Sequence, residues 1–285
     1  MTHSVKMAGS PGKPGAILAL DTSTAALAAA VVRGGEVLAE VQSLAERNHS
    51  VQTVPQLKEL LVSAKVAPES LAGIAVGRGP GSYTGMRIAV TVAKTLSWIW
   101  NVPLVGVSSL EALAYGSFRS AVAAGRGGAD ATAGPEWLVP LMDARRGQVY
   151  TALLQAEGGA NAASAGAAAS DEGWTRKADD GIRLMHEWVE ELADLAAGSN
   201  SPPGAVRITG DLSLHEAAAD RLSGLLAEHG MVAVKSPYVM EGRAIAWLGE
   251  RRLLRGEADE PHAFVPNYTQ LAEAEVKLLA KRRGE

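Results

Sequence analysis

The 285-residue sequence contains no cysteine. That excludes disulfides, thiolate nucleophiles and cysteine-ligated zinc. No apolar run approaches the ~20 residues needed to cross a bilayer. The opening MTHSVKMAGSPGKPG lacks the hydrophobic stretch of a secretory signal. It reads as a disordered tail over residues 1–14, and the expected location is cytoplasmic. An excess of positive charge is missing too, since 27 Lys and Arg face 31 Asp and Glu for a net charge of −4. A phosphate-gripping surface needs clustered Lys and Arg, so the chain is not expected to grip nucleic acid by itself.

Several catalytic patterns are also missing. Two histidines at i and i+4 on a helix would face one ion, but Thr53 stands four residues after His49. Threonine is a poor ligand for a borderline-soft metal. His3, His186, His215, His229 and His262 are scattered, so no metal site is expected. The turn Gly77-Arg78-Gly79-Pro80-Gly81-Ser82-Tyr83-Thr84-Gly85 is not followed by the Gly-Lys-Ser/Thr of a phosphate-binding P-loop. Ser82 lacks a glycine two residues on and makes no nucleophile elbow.

What the chain does have is that glycine-rich turn, set between an apolar run (Gly73–Gly79) and a helical pattern (Tyr83–Trp100). Such turns hold anions or admit a close backbone neighbour. Upstream, Ala16–Asp21 is a short apolar strand ending in an acid. Ala25–Val32 and Val37–Leu44 flank Gly34-Gly35, a hairpin signal. A helix is expected from His49, with Val51, Val54, Leu57, Leu61 and Ala64 near one face and Pro55 as an irregularity. The order β-β-β-α-β-α-β, with Pro103–Val107 as the fifth strand, is not the alternation of a dinucleotide-binding domain. It predicts a mixed sheet with an antiparallel start.

Trp137–Asp143 followed by Gln148–Leu154 echoes the opening strand and hairpin, which predicts two lobes of related topology. The expected division is an N-terminal lobe over 15–117, an Ala/Gly linker over 118–136 and a C-terminal lobe over 137–285. A mobile loop is expected at 157–172, and the last helices are expected to pack back on the N-terminal lobe. In the second lobe, helices are expected at Met185–Ala197, Leu212–His229, Ala244–Arg255 and Leu271–Arg283.

The segments LALDTST, NHSVQTVPQL, VGRGPGSYTGMRIAVTVAKTL, VPLVGVSSLEALA and MDARRGQVY resemble the bacterial TsaB (YeaZ) family. The resemblance runs from about Ala16 to Tyr150 and recurs in ITGD (Ile208–Asp211) and PNYTQLAEAE (Pro266–Glu275). Tyr268-Thr269-Gln270 departs from the Tyr-Leu-Arg more usual there. The resemblance implies an α/β, two-lobed, actin-like (ASKHA) fold built of ribonuclease H-like repeats with mixed sheets. It also implies a non-catalytic paralogue of the TsaD subunit. That paralogue would serve, with TsaD, the TsaE ATPase and threonylcarbamoyl-adenylate, in N6-threonylcarbamoylation of adenosine 37 in tRNAs reading ANN codons. Nucleotide and metal are then expected on the partner subunits and none on this chain alone. tRNA would be met only through the complex, and the chain alone would form a homodimer. The alternative is a stand-alone actin-like ATPase or phosphotransferase. A metallopeptidase would need ligands the sequence does not offer.

Active actin-like proteins hold phosphates with two hairpins. The corresponding candidates are Asp21, Thr22, Ser23 and Thr24 in one lobe and Asp143 and Arg145 in the other; the other reading is that the two acids end strands and cap turns. The candidate partner-binding residues are His49, Val51, Val54 and Leu57 on one helix and Tyr83, Met86, Ala89, Val90, Ala93 and Ser97 on the next. The second helix is apolar on most sides and must bury most sides. One side suits its own sheet. For the other, a partner chain and the second lobe of this chain are both open.

Overall fold

The computed structural model describes residues 15–44, 49–125, 134–157 and 173–269. The expected tail at 1–14, most of the loop at 157–172 and the helix at 271–283 lie outside these residues. Two five-stranded sheets carry the fold. The first comprises β1 (Ala16–Asp21), β2 (Leu27–Arg33), β3 (Glu36–Ser43), β4 (Leu71–Gly77) and β5 (Leu104–Val107), in the order β3-β2-β1-β4-β5. The second comprises β6 (Glu136–Asp143), β7 (Gln148–Ala156), β8 (Trp174–Leu184), β9 (Ala205–Gly210) and β10 (Val232–Pro237), in the order β8-β7-β6-β9-β10. Each sheet has three antiparallel strands followed by two parallel ones. The faint echo between the two halves of the sequence is therefore a repeated topology.

Three helix pairs cover the sheets. α1 (His49–Ser63) and α2 (Tyr83–Trp100) lie on the outer face of the first sheet, where Leu57, Leu60, Ala89, Val90 and Ala93 meet Leu18, Leu20 and Ile74. α3 (Ser109–Ala123) and α6 (Gly242–Leu254) are sandwiched between the sheets, joining Ile17 and Ala75 of one to Leu138 and Leu154 of the other. α4 (Met185–Ala197) and α5 (Glu216–Ala227) cover the far face of the second sheet around Trp188 and Leu222. α6 follows the second sheet in the chain and packs on β1, β2 and β4 of the first.

Local chemistry explains the boundaries. Ser82 and Ser108 cap α2 and α3 by accepting Gly85 N–H and Glu111 N–H at 3.3 and 3.2 Å. Asn101 ends α2 in the left-handed conformation, with φ 52°. Pro55 sits within α1. The linker expected over 118–136 is corrected at both ends. Residues 118–123 continue α3, because Phe118 and Ala121 are buried against the core, and Glu136 already belongs to β6. Strand β8 is absent from the sequence reading. WTRKADDGIRL is an edge strand with no apolar alternation, and its Asp-Asp-Gly imitates a turn. Among the described residues no helix is long and apolar enough to cross a membrane.

Candidate functional site

The glycine-rich turn is held by the end of β1. Asp21 is fully buried; its Oδ1 accepts the backbone N–H and the hydroxyl of Ser23, both at 2.7 Å. Its Oδ2 accepts Ser109 Oγ at 2.5 Å, and Ser109 Oγ in turn accepts Gly79 N–H at 3.0 Å. Burial pushes the Asp21 carboxyl above its ordinary value, and the hydrogen bonds from Ser109 and Ser23 partly offset this. Thr22 Oγ1 donates to Gly85 O at 2.6 Å, and Ser82 N–H donates to Ser23 O at 2.7 Å. Thr24 Oγ1 accepts Ala26 N–H.

These contacts explain the glycines. A Cβ at Gly85 would lie 1.8 Å from Thr22 O, and one at Gly81 2.5 Å from Ser23 O. Gly81 and Gly85 are needed because the chain's own backbone lies against the turn there. The hydroxyls of Thr22 and Ser23 are spent inside the protein, on Gly85 and Asp21.

The second hairpin is differently built. Asp143 ends β6, half-buried, with Oδ1 3.3 Å from Nε2 of the buried His215. Arg145 and Arg146 are exposed at the turn with φ 68° and 54°, ahead of Gly147 at 73°. Nearby, hydrogen bonds from the hydroxyl and N–H of Ser213 hold the Asp211 carboxyl below its ordinary value. His215 carries no sequence signal. It lies 72 residues from its partner Asp143 and becomes visible only when β6 and β9 are paired. Among the described residues no three His, Asp or Glu side chains are grouped to hold a metal.

The two outer helices divide the partner-binding candidates. Leu57, Met86, Ala89, Val90, Ala93 and Ser97 are buried in this chain, and that corrects the face expected to bind a partner. Leu57, Ala89, Val90 and Ala93 pack on the first sheet, Met86 lies against Gly79 of the turn, and Ser97 Oγ donates to Val102 O at 2.7 Å as part of the helix end. Ala89 and Ala93 let the helix approach its own sheet. The outward surface belongs to other residues. Val51, Val54 and Val62 form a stripe on α1, and Tyr83, Trp98 and Ile99 stand out from α2; the six are 52–73% exposed. On α2, Arg87 and Thr91 continue the outward stripe; Arg87 donates to Tyr83 Oη at 3.2 Å. His49 opens α1, and its side chain lies outside what is described.

A protein-family model for TsaD, tRNA N6-adenosine threonylcarbamoyltransferase, matches residues 37–172. The tRNA threonylcarbamoyladenosine biosynthesis protein TsaB of Bacillus subtilis (strain 168) is 34% identical over 267 residues, covering 94% of this chain and 99% of that one. The transferase of Anaeromyxobacter dehalogenans (strain 2CP-C) is 38% identical over 122 residues, covering 37% of this chain and 36% of that one. Among solved structures, YeaZ from Pseudomonas aeruginosa has a TM-score of 0.62 at 23% identity, covering 89% of this chain and 99% of that one. At that identity the likeness speaks for the fold. The match to the Bacillus protein over nearly the whole of both chains, on a frame of two repeated sheets, establishes that the chain belongs to the TsaB (YeaZ) family of tRNA threonylcarbamoyladenosine biosynthesis proteins.

Proposed function

We propose that this protein is the scaffold subunit of a tRNA-modifying complex, docking a TsaD-type transferase on the outer face of α1 and α2 and supplying no catalytic side chain itself. The observation that carries the reading is the outward stripe of Val51, Val54, Val62, Tyr83, Trp98 and Ile99 on two neighbouring helices. Both helices fall within residues 37–172, where the chain matches the transferase family model. A paralogue with the same helix pair offers a like face, and like faces pair about a two-fold axis. Two copies of this chain pair the same way when the paralogue is missing.

Magnitudes favour use of both helices. Burying one such side chain contributes about 1.5–3 kcal/mol, whereas association costs about 4–15 kcal/mol in lost freedom. Three partly exposed groups on one helix fall short of that cost, and six on two helices double the gain, which favours a face built from both.

In this reading the chain acts through the transferase's conformation. Docking favours the productive arrangement only by binding it more tightly than the idle one. TsaE and threonylcarbamoyl-adenylate serve the same complex, which delivers the threonylcarbamoyl group to N6 of adenosine 37, and tRNA is met there. The inward commitment of Asp21, Thr22 and Ser23 supports a first hairpin retired from phosphate binding.

Reconstitution of tRNA modification tests the proposal. Activity should require this chain beside the transferase and should be lost with Val54→Asp. Tight magnesium-dependent ATP binding by the isolated chain in calorimetry would instead support an independent ATPase and sink the scaffold reading.

A further inference from the structure

The chain does not leave the molecule after α6. Residues 257–268 run back along the first sheet as a strap. Asp259 N–H donates to Leu104 O at 2.8 Å, and its Oδ2 accepts Gly106 N–H at 2.7 Å, so the strap starts on the open edge of β5. Phe264 is buried against Gly106, where a Cβ would lie 2.5 Å from its ring. Lys94 of α2 donates to His262 O and Phe264 O at 3.2 and 2.8 Å. Asn267 N–H donates to Arg78 O in the glycine-rich turn at 2.7 Å, and its Nδ2 reaches Asp180 of β8, in the other sheet, at 3.3 Å. The Tyr268 ring lies 5.4 Å from that of Tyr83. Since α1 covers β2 and β3, the strap flanks α2 on the opposite side.

Cover for the flank of α2 would explain Phe264 and Lys94. It leaves Val265 and Tyr268 unexplained. They are 63% and 46% exposed, Val265 between the held residues Phe264 and Asn267 and Tyr268 directly after Asn267. Eight of the fourteen large exposed apolar side chains among the described residues lie on α1, α2 or this strap. Through the contact of Tyr268 with Tyr83, the strap's exposed residues adjoin the N-terminal end of α2.

We propose that the strap is the third element of the docking face, and that the TsaD-type partner closes over Val265 and Tyr268 as well as over the two helices. This rests on the docking reading above and adds the residues that carry its edge. An aromatic already resting on a second one gives up less freedom on binding than a lone side chain and suits an energetic anchor.

The test is calorimetric titration of the full-length chain with its own organism's tRNA N6-adenosine threonylcarbamoyltransferase. The double variant Val265→Ser/Tyr268→Ala should weaken binding by about tenfold or more, with an unchanged melting temperature. Tyr268→Phe keeps the ring and should bind like the parent. Val54→Asp, on α1, should abolish binding. If Val54→Asp abolishes binding and the double variant keeps parental affinity, the strap proposal is overturned while the docking reading stands. If Val54→Asp itself binds normally, the docking reading falls.

Discussion

Asp21 and Gly77 meet so closely that no side chain fits at residue 77: a Cβ there would lie 1.7 Å from Asp21 Oδ2. One carboxylate thus occupies the space at the mouth of β4 and ties β1, the glycine-rich turn and α3 together. Gly77→Ala must push apart two paired core strands or displace a buried, hydrogen-bonded carboxylate. Overpacking of this kind costs about 1–3 kcal/mol and sometimes more. Urea unfolding should show a loss at or above that range; an unshifted midpoint would contradict the geometry.

The same carboxylate predicts a pH dependence. Burial raises the Asp21 value above the ordinary 3.8. The folded state therefore binds the proton more readily than the unfolded chain. Its stabilising contribution is full below 3.8 and is lost as pH rises through the higher folded value. Asp21→Asn removes this titration and should flatten the stability profile on the alkaline side of 3.8. Chemical denaturation across that window checks it; parallel profiles for parent and variant would refute it.

Ala93 and Thr91 are two residues apart on α2 and face opposite ways. Ala93→Asp places an unpaired charge in a fully buried position, a change that costs several kcal/mol, and should yield little folded protein. Thr91→Asp lies on the outward stripe and should leave the melting temperature close to the parent while weakening partner binding. Circular dichroism and pull-down with the transferase separate the two. Equal melting temperatures for both variants would invert the assignment of faces.

Arg207 and Glu136 form a buried ion pair on adjacent strands β9 and β6, with Nε and Oε1 2.5 Å apart. Glu136→Ala withdraws a carboxylate from a guanidinium in low dielectric, a change that typically costs about 3–5 kcal/mol. A replacement of both residues by apolar ones should recover much of the loss. Denaturant midpoints of the single and double variants test this, and a double variant less stable than the single one would count against it.

Much of the frame is legible in local sequence. Met185–Ala197 and Tyr83–Trp100 have the expected limits because their apolar positions recur at helical spacing. Ala16–Asp21 is legible as a strand because it is short, apolar throughout and ended by an acid. Strand β8 was hidden because an edge strand with water on its flank needs no apolar alternation. The end of α3 was hidden by an Ala- and Gly-rich composition that only the packing of Phe118 and Ala121 overrides.

The sequence by itself determined the family, the two-lobed plan and the segments that matter, because those follow from short-range pattern and motif spacing. Only the tertiary structure decided which side of α2 is free. Its apolar residues encircle the helix, so periodicity could not say whether Ala89 or Trp98 faces out. The sheet beneath α2, α1 on one flank and the strap on the other settle it by burying every direction but one. The Asp143–His215 approach and the Asn267 tie between the sheets are tertiary for the same reason: strand pairing brings the first pair together and the path of the strap the second, across dozens of residues, and nothing local records either.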